Sequence, residues 1–191
     1  MSEVFSEQDP ALRVLATRRS TGTFAGTAVP RADIEMALDL AVRAPNHRRT
    51  RPWRFAVVRG DARRQLGEQM AAAADRMGQD SERARSKAFF APAIICVSVS
   101  PQLTNPRVLE EEEVLAVGAA IQNILLALHA RGLGSFWTTG ALITTQEVRD
   151  FFNLTSPQDR ILGLIYVGYP SDGSLGERRI ETHTRFTRWI E

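Results

Sequence analysis

The chain reads as a single α+β domain in which helices flank a central sheet. Three observations carry that reading. Helical and strand periodicities alternate along the chain, with no internal repeat, low-complexity tract or dividing linker. One stretch, Val114 to Ala130, is apolar almost all round, as a helix buried on every side must be. With 191 residues, 43% hydrophobic and 24% charged, the chain can bury a real core as one domain.

Leu12 to Arg19 suggests a first helix. Pro30 opens a second, whose apolar face is Ile34, Ala37, Leu38, Ala41 and Val42, and Pro45 stops it. Arg54 to Arg59 alternates as a strand and closes on Gly60-Asp61, where Asp61 can cap an Ala-rich helix running to about Met77. Pro92 precedes a strand from Ile94 to Val99. Glu110 to Glu113 then places four carboxylates at the positive end of the long apolar helix. A small domain cannot easily bury such a helix alone, so an interface with a second copy is expected. Gly132 suits a left-handed cap, Ser135 to Trp137 a short strand, and Thr144-Thr145-Gln146-Glu147 a capping box for a helix to Phe152. Arg160 to Val167 is a continuous apolar strand ended by Gly168-Tyr169-Pro170. Residues 171–191 form an extended polar tail anchored by Phe186, Trp189 and Ile190, of a kind that wraps a partner subunit.

Composition narrows the function classes. A net charge of +2 gives no strong field. Lys87 is the sole lysine, and the Arg bias by itself identifies no ligand. Cys96 is the lone cysteine and reads as a small buried hydrophobe. The acidic stretch Met1 to Glu7 lacks the apolar core of a signal peptide, and Gln122, Asn123 and His129 interrupt the longest apolar run. A cytoplasmic protein with no membrane span is expected.

Placement of the bases is more telling. Ala44 to Phe55 joins a helix to a strand, yet it holds His47 and four arginines, which suggests an anionic ligand. Arg18-Arg19-Ser20 and Arg185 to Arg188 echo it, and the three clusters are expected to meet around a phosphate. Taken alone, Arg18 and Arg19 read better as solvated cations at a helix end, and His47 equally well as a hydrogen-bonded loop histidine. Metal-ligand spacing, a Walker loop, a dinucleotide fingerprint and a nucleophile elbow are all missing. An enzyme with this sequence would leave its chemistry to a bound cofactor.

Four segments in order resemble the nitroreductase family of FMN-dependent flavoproteins, in its compact subgroup. They are Arg18 to Phe24, the loop from Ala44-Pro45 to Pro52-Trp53, Gly118 to Ala127 with Gly132 to Ser135, and Gly168-Tyr169-Pro170. The resemblance implies a mostly antiparallel sheet and an intertwined homodimer with a swapped C-terminal tail and FMN at the interface. It implies that Arg18, Arg19 and Ser20 hold FMN from one subunit while Arg43 and His47 reach it from the other. Thr138, Thr139 and Gly140 would lie along the flavin, and Arg185 or Arg188 would complete the phosphate grip. The stretch Leu128, His129, Ala130, Arg131, Gly132 and Leu133 matches a nicotinamide contact in some members.

The implied activity is alternating reduction of flavin by NAD(P)H and oxidation by a nitroaromatic, quinone or similar small acceptor. No side chain is needed as catalyst, and His47 is the one proton-donor candidate. Gly22 stands where many relatives carry lysine, so the cation that steadies reduced flavin must come from elsewhere. Arg49 and Arg51 replace Asn and Gln, which bears on flavin tuning and substrate. Two other readings are a flavin-dependent dehydrogenase or flavin-modifying enzyme that uses no nicotinamide, and a nucleic-acid binder using Arg43 to Arg54. The small net charge and the lack of a nucleic-acid motif count against the last.

Overall fold

The computed structural model describes residues 9–172 and 182–191. The acidic N-terminal stretch and part of the tail, 173–181, lie outside the described residues. The elements are α1 (Pro10–Thr17), α2 (Arg31–Ala41), β1 (Trp53–Arg59), α3 (Ala62–Arg76), α4 (Ser81–Ser86), β2 (Ala93–Val99), α5 (Glu110–Ala130), β3 (Gly134–Thr138), α6 (Gln146–Phe151) and β4 (Arg160–Gly168). The four strands form one antiparallel sheet in the order β1-β2-β4-β3.

Two cores sandwich that sheet. Ile95, Val97, Ile165 and Val167 point to one face and meet α2 and α5 through Ile34, Ala37, Val117, Ile121 and Ile124. Ile94, Cys96, Leu164 and Tyr166 point to the other and meet α3, α4 and α6 through Leu66, Met70, Ala84 and Val148. Alternation along each strand sends neighbours to opposite faces. With both faces covered, every residue of β2 is buried, and its sequence is accordingly apolar without alternation. Burial raises the Cys96 thiol to about 12, so it stays protonated and inert.

Several boundaries differ from expectation. The first helix ends at Thr17, and Arg18 leaves it with ψ 130°, so Arg18 and Arg19 are not last-turn cations. Asp61 does not cap α3, because its own backbone is already helical; its carboxylate faces Arg64 at 3.7 Å. No capping box opens α6, because the Thr145 hydroxyl donates back to the Leu142 carbonyl. Nor is α5 buried all round within one chain: Leu115 is 72% exposed.

Candidate functional site

The chain leaves β3, an edge strand, through Thr138-Thr139-Gly140. Gly140 has φ 133°, a conformation that suits glycine, and it turns the backbone into a 3₁₀ turn over Ala141–Thr144. These three residues line a cavity of about 380 Å³ together with Lys87, Gln79 and a wall of aromatic rings. Phe90 stands edge-on to Tyr166, with centroids 5.2 Å apart at 81°, and Phe136 lies within 6.1 Å of Phe90. Burial raises the Tyr166 phenol to about 12, so the wall is uncharged at neutral pH. Lys87 comes from the 3₁₀ turn that follows α4. Its neighbour Arg85 is tied to Glu68 and Glu82, whereas Lys87 enters no ion pair among the described residues. The cavity is thus walled by aromatic and aliphatic side chains with Gln79, Thr138 and Thr139, and Lys87 is its one charged lining residue. Nothing in the sequence marked Lys87 beyond its being the sole lysine, because a fold contact separates it from Thr138 by some fifty positions.

Arg18 to Thr21 runs beside the other end of β3. Ser20 bridges Ser135 in parallel, and the Thr21 amide donates to the Ser135 carbonyl at 2.9 Å. Gly134 permits this approach, since a Cβ there would lie 2.7 Å from Thr21 Oγ1. Arg19 Nε and Thr21 Oγ1 are buried without a hydrogen-bond partner. Unmet buried donors are costly, and an oxygen-rich ligand would satisfy them. The Thr17 hydroxyl meets His129 Nε2 at 2.8 Å. Burial, and then the charge of Arg18, lowers the His129 pKa.

The basic loop contains a 3₁₀ turn, His47–Arg49, and its Arg48, Arg49 and Arg51 all have positive φ, between 53° and 58°. It rests against the start of α5. His47 Nδ1 lies 3.1 Å from Glu112 Oε1, and Arg48 Nε donates to the Arg107 carbonyl. Glu113, only 1% exposed, accepts from the Thr50 hydroxyl at 2.5 Å and from the Gln102 amide at 3.1 Å. The four glutamates read in sequence as one dipole-matched run, so Glu113 was missed; its tie to the loop depends on a contact across 63 positions. Arg43 is exposed just beyond α2.

The expected meeting of the clusters does not occur within one chain. The loop touches Glu112 and Arg18 lies by His129, at opposite ends of α5, about 25 Å apart at 1.5 Å per residue. Arg185 lies over the ring of its own neighbour Phe186, and Arg188 is exposed. In the stretch from Leu128 to Leu133, both leucines belong to the core. Arg131 is engaged with Asp33 at 2.8 Å, Gly132 forms the left-handed cap, and His129 and Ala130 reach the surface.

A model of the nitroreductase family matches residues 15–169. The Escherichia coli K12 protein named "Putative NAD(P)H nitroreductase YdjA" is 34% identical over 163 residues, which cover 84% of this chain and 88% of its own. A nitroreductase-like family protein from Bacillus cereus superposes with a TM-score of 0.81 at 25% identity, covering 95% of this chain and 96% of its own. The FMN-dependent nitroreductase NfnB from Mycobacterium smegmatis, solved in complex with NADPH, superposes with a TM-score of 0.76 at 21% identity, over 95% and 98% of the two chains.

Proposed function

The chain belongs to the nitroreductase family, and from that premise we propose that it is an FMN-dependent oxidoreductase that draws electrons from NAD(P)H. Its acceptors would be nitroaromatics, quinones or similar conjugated molecules. The observation that carries the proposal is the cavity in which Lys87 joins Thr138, Thr139 and Gly140. A planar, partly anionic ring system fits apolar aromatic walls with a single cation. The unmet donors on Arg19 and Thr21 fit the ribityl and phosphate oxygens of the same cofactor.

FMN bound there supplies hydride uptake and return, so donor and acceptor can use one pocket in turn. The chain's residues supply the rest. Arg18, Arg19 and Ser20 hold the phosphate end, in reach of β3 through the Ser20–Ser135 bridge. Thr138 to Gly140 orient the ring. Lys87, the one charged residue of the cavity lining, would supply the cation that Gly22 cannot. Tyr166, Phe90 and Phe136 would give the ring an apolar wall to pack against. No side chain of this set must exchange a proton with substrate.

His47 and Arg43 complete the site from a second subunit. The place of His47 by Glu112, at the opposite end of α5 from Arg18, supports this. Leu115 on α5, Leu12 and Leu15 on α1, and Phe186, Trp189 and Ile190 of the tail are exposed apolar side chains that such a partner would cover. Arg185 or Arg188 would reach the phosphate only in such a dimer, working in the cytoplasm.

The test is to add FMN to purified protein, remove the free flavin and record the absorbance spectrum. Retained bands near roughly 370 and 450 nm are expected, bleached anaerobically by NADH or NADPH. Protein that holds no flavin would refute the proposal. Flavin retained but reduced by neither donor would favour a flavin enzyme that does not use nicotinamide.

A further inference from the structure

A carboxylate 1% exposed, with no ion pair among the described residues, is an expensive thing to keep in a core. Glu113 sits in the first turn of α5, where the helix dipole favours it, but so do three exposed or half-exposed glutamates, of which only Glu112 meets the loop, through His47 at 3.1 Å. What distinguishes Glu113 is its set of partners. Asn46 Nδ2 donates to Thr50 Oγ1 at 3.0 Å, and Thr50 in turn donates to Glu113 Oε1. The Arg51 amide donates to Asn46 Oδ1 at 2.7 Å, and the Gln102 amide to Glu113 Oε2. The chain of bonds therefore starts on a buried carboxylate and ends on the backbone of an arginine.

The loop that it holds is strained. Arg48, Arg49 and Arg51 are three of the four non-glycine residues with positive φ among those described. Each such residue costs roughly 1 kcal/mol or more, and persists only where its surroundings impose it. Like charges on neighbouring arginines add to the tendency of this loop to open. Glu113, through Thr50 and Asn46, opposes both, beside the contacts of His47 with Glu112 and of Arg48 with the Arg107 carbonyl.

We propose that Glu113 is a positioning residue for anion binding: it holds the arginine loop preset, so that a phosphate-bearing ligand does not have to order it. The ligand here is FMN, and in that respect the inference rests on the function proposed above. Preorganisation of this kind appears as affinity, because the ordering cost is met on folding and not on binding.

Two readouts test it together. Limited trypsin digestion reports loop opening directly, by the rate of cleavage after Arg48 and Arg49. Titration of flavin-free protein with FMN reports affinity. Glu113→Gln is expected to speed cleavage in the loop and to raise the FMN dissociation constant, each about tenfold. Thr50→Val, a milder change in the same network, should do the same, and Thr50→Ser should restore both values. The double variant should be no worse than Glu113→Gln alone, because the bonds from Thr50 and Asn46 converge on that one carboxylate. Should Glu113→Gln fail to fold, Thr50→Val and Thr50→Ser decide alone. Unchanged cleavage in the valine variant overturns the proposal. So does faster cleavage with an unchanged dissociation constant, which would make the network a matter of loop stability only. Wild-type protein that takes up no FMN overturns the flavin reading instead, and the cleavage rates still decide whether Glu113 holds the loop.

Discussion

Gly163 has no side chain because the indole of Trp137 fills the space that one would need. A Cβ there would lie 2.0 Å from Trp137 Nε1, which donates to the Leu162 carbonyl at 3.2 Å. Gly163→Ala should therefore displace the indole and the β3 edge, costing about 1–3 kcal/mol as overpacking does, measurable by urea denaturation. Lys87→Gln should leave FMN bound but slow its reduction about tenfold or more, seen in stopped-flow bleaching, because the developing charge loses its cation. His129 gives a pH test. Its folded pKa lies below the ordinary 6.5, so the unfolded chain binds more protons between the two values. That contribution is full above the unfolded pKa and is lost as pH falls through the folded one. Wild type should lose more thermal stability from pH 7.5 to 5.5 than His129→Asn does. The sequence made Arg18, His47 and Gly140 visible because local motifs carry them. Glu113 and Lys87 stayed invisible because what gives them meaning is burial or proximity to residues far along the chain.

At the scale of elements, the long helix was the most legible feature and its end the best defined. Leu133 N donates to the Leu128 carbonyl at 3.0 Å and Gly132 N to the His129 carbonyl at 2.9 Å, with Gly132 at φ 72° between them. That pairing closes the helix and turns the chain into β3. Gly132→Ala should cost about 1 kcal/mol by forcing a Cβ into the left-handed region, with the loss read as a lower denaturation midpoint. The helix α4 was not foreseen: Ser-Glu-Arg-Ala-Arg-Ser is short and polar, and only Ala84 is buried. Its start lies in Asp80, whose carboxylate accepts from the Arg83 amide at 2.9 Å. The helix matters because it delivers Lys87 to the cavity. Asp61 read as a cap in sequence, but its backbone is already helical and its carboxylate makes no cap bond.

For the whole molecule, the proposed dimer turns on the surface of α5. All-round apolarity was legible, but one chain covers only part of it and leaves Leu115 exposed. Leu115→Arg should yield a monomer by sedimentation that no longer retains FMN, whereas the fold, judged by circular dichroism, should persist because that side chain is outside both cores.

The separation of Arg18 from His47 along α5 has a consequence for mixtures of defective chains. If each site takes Arg18 from one subunit and His47 from the other, Arg18→Ala and His47→Ala proteins are each wholly impaired. Unfolded together and refolded, they would form hybrids with one doubly damaged site and one intact site. Random pairing would then restore about a quarter of the sites, from two inactive parents. A site built within a single chain could gain nothing from such mixing.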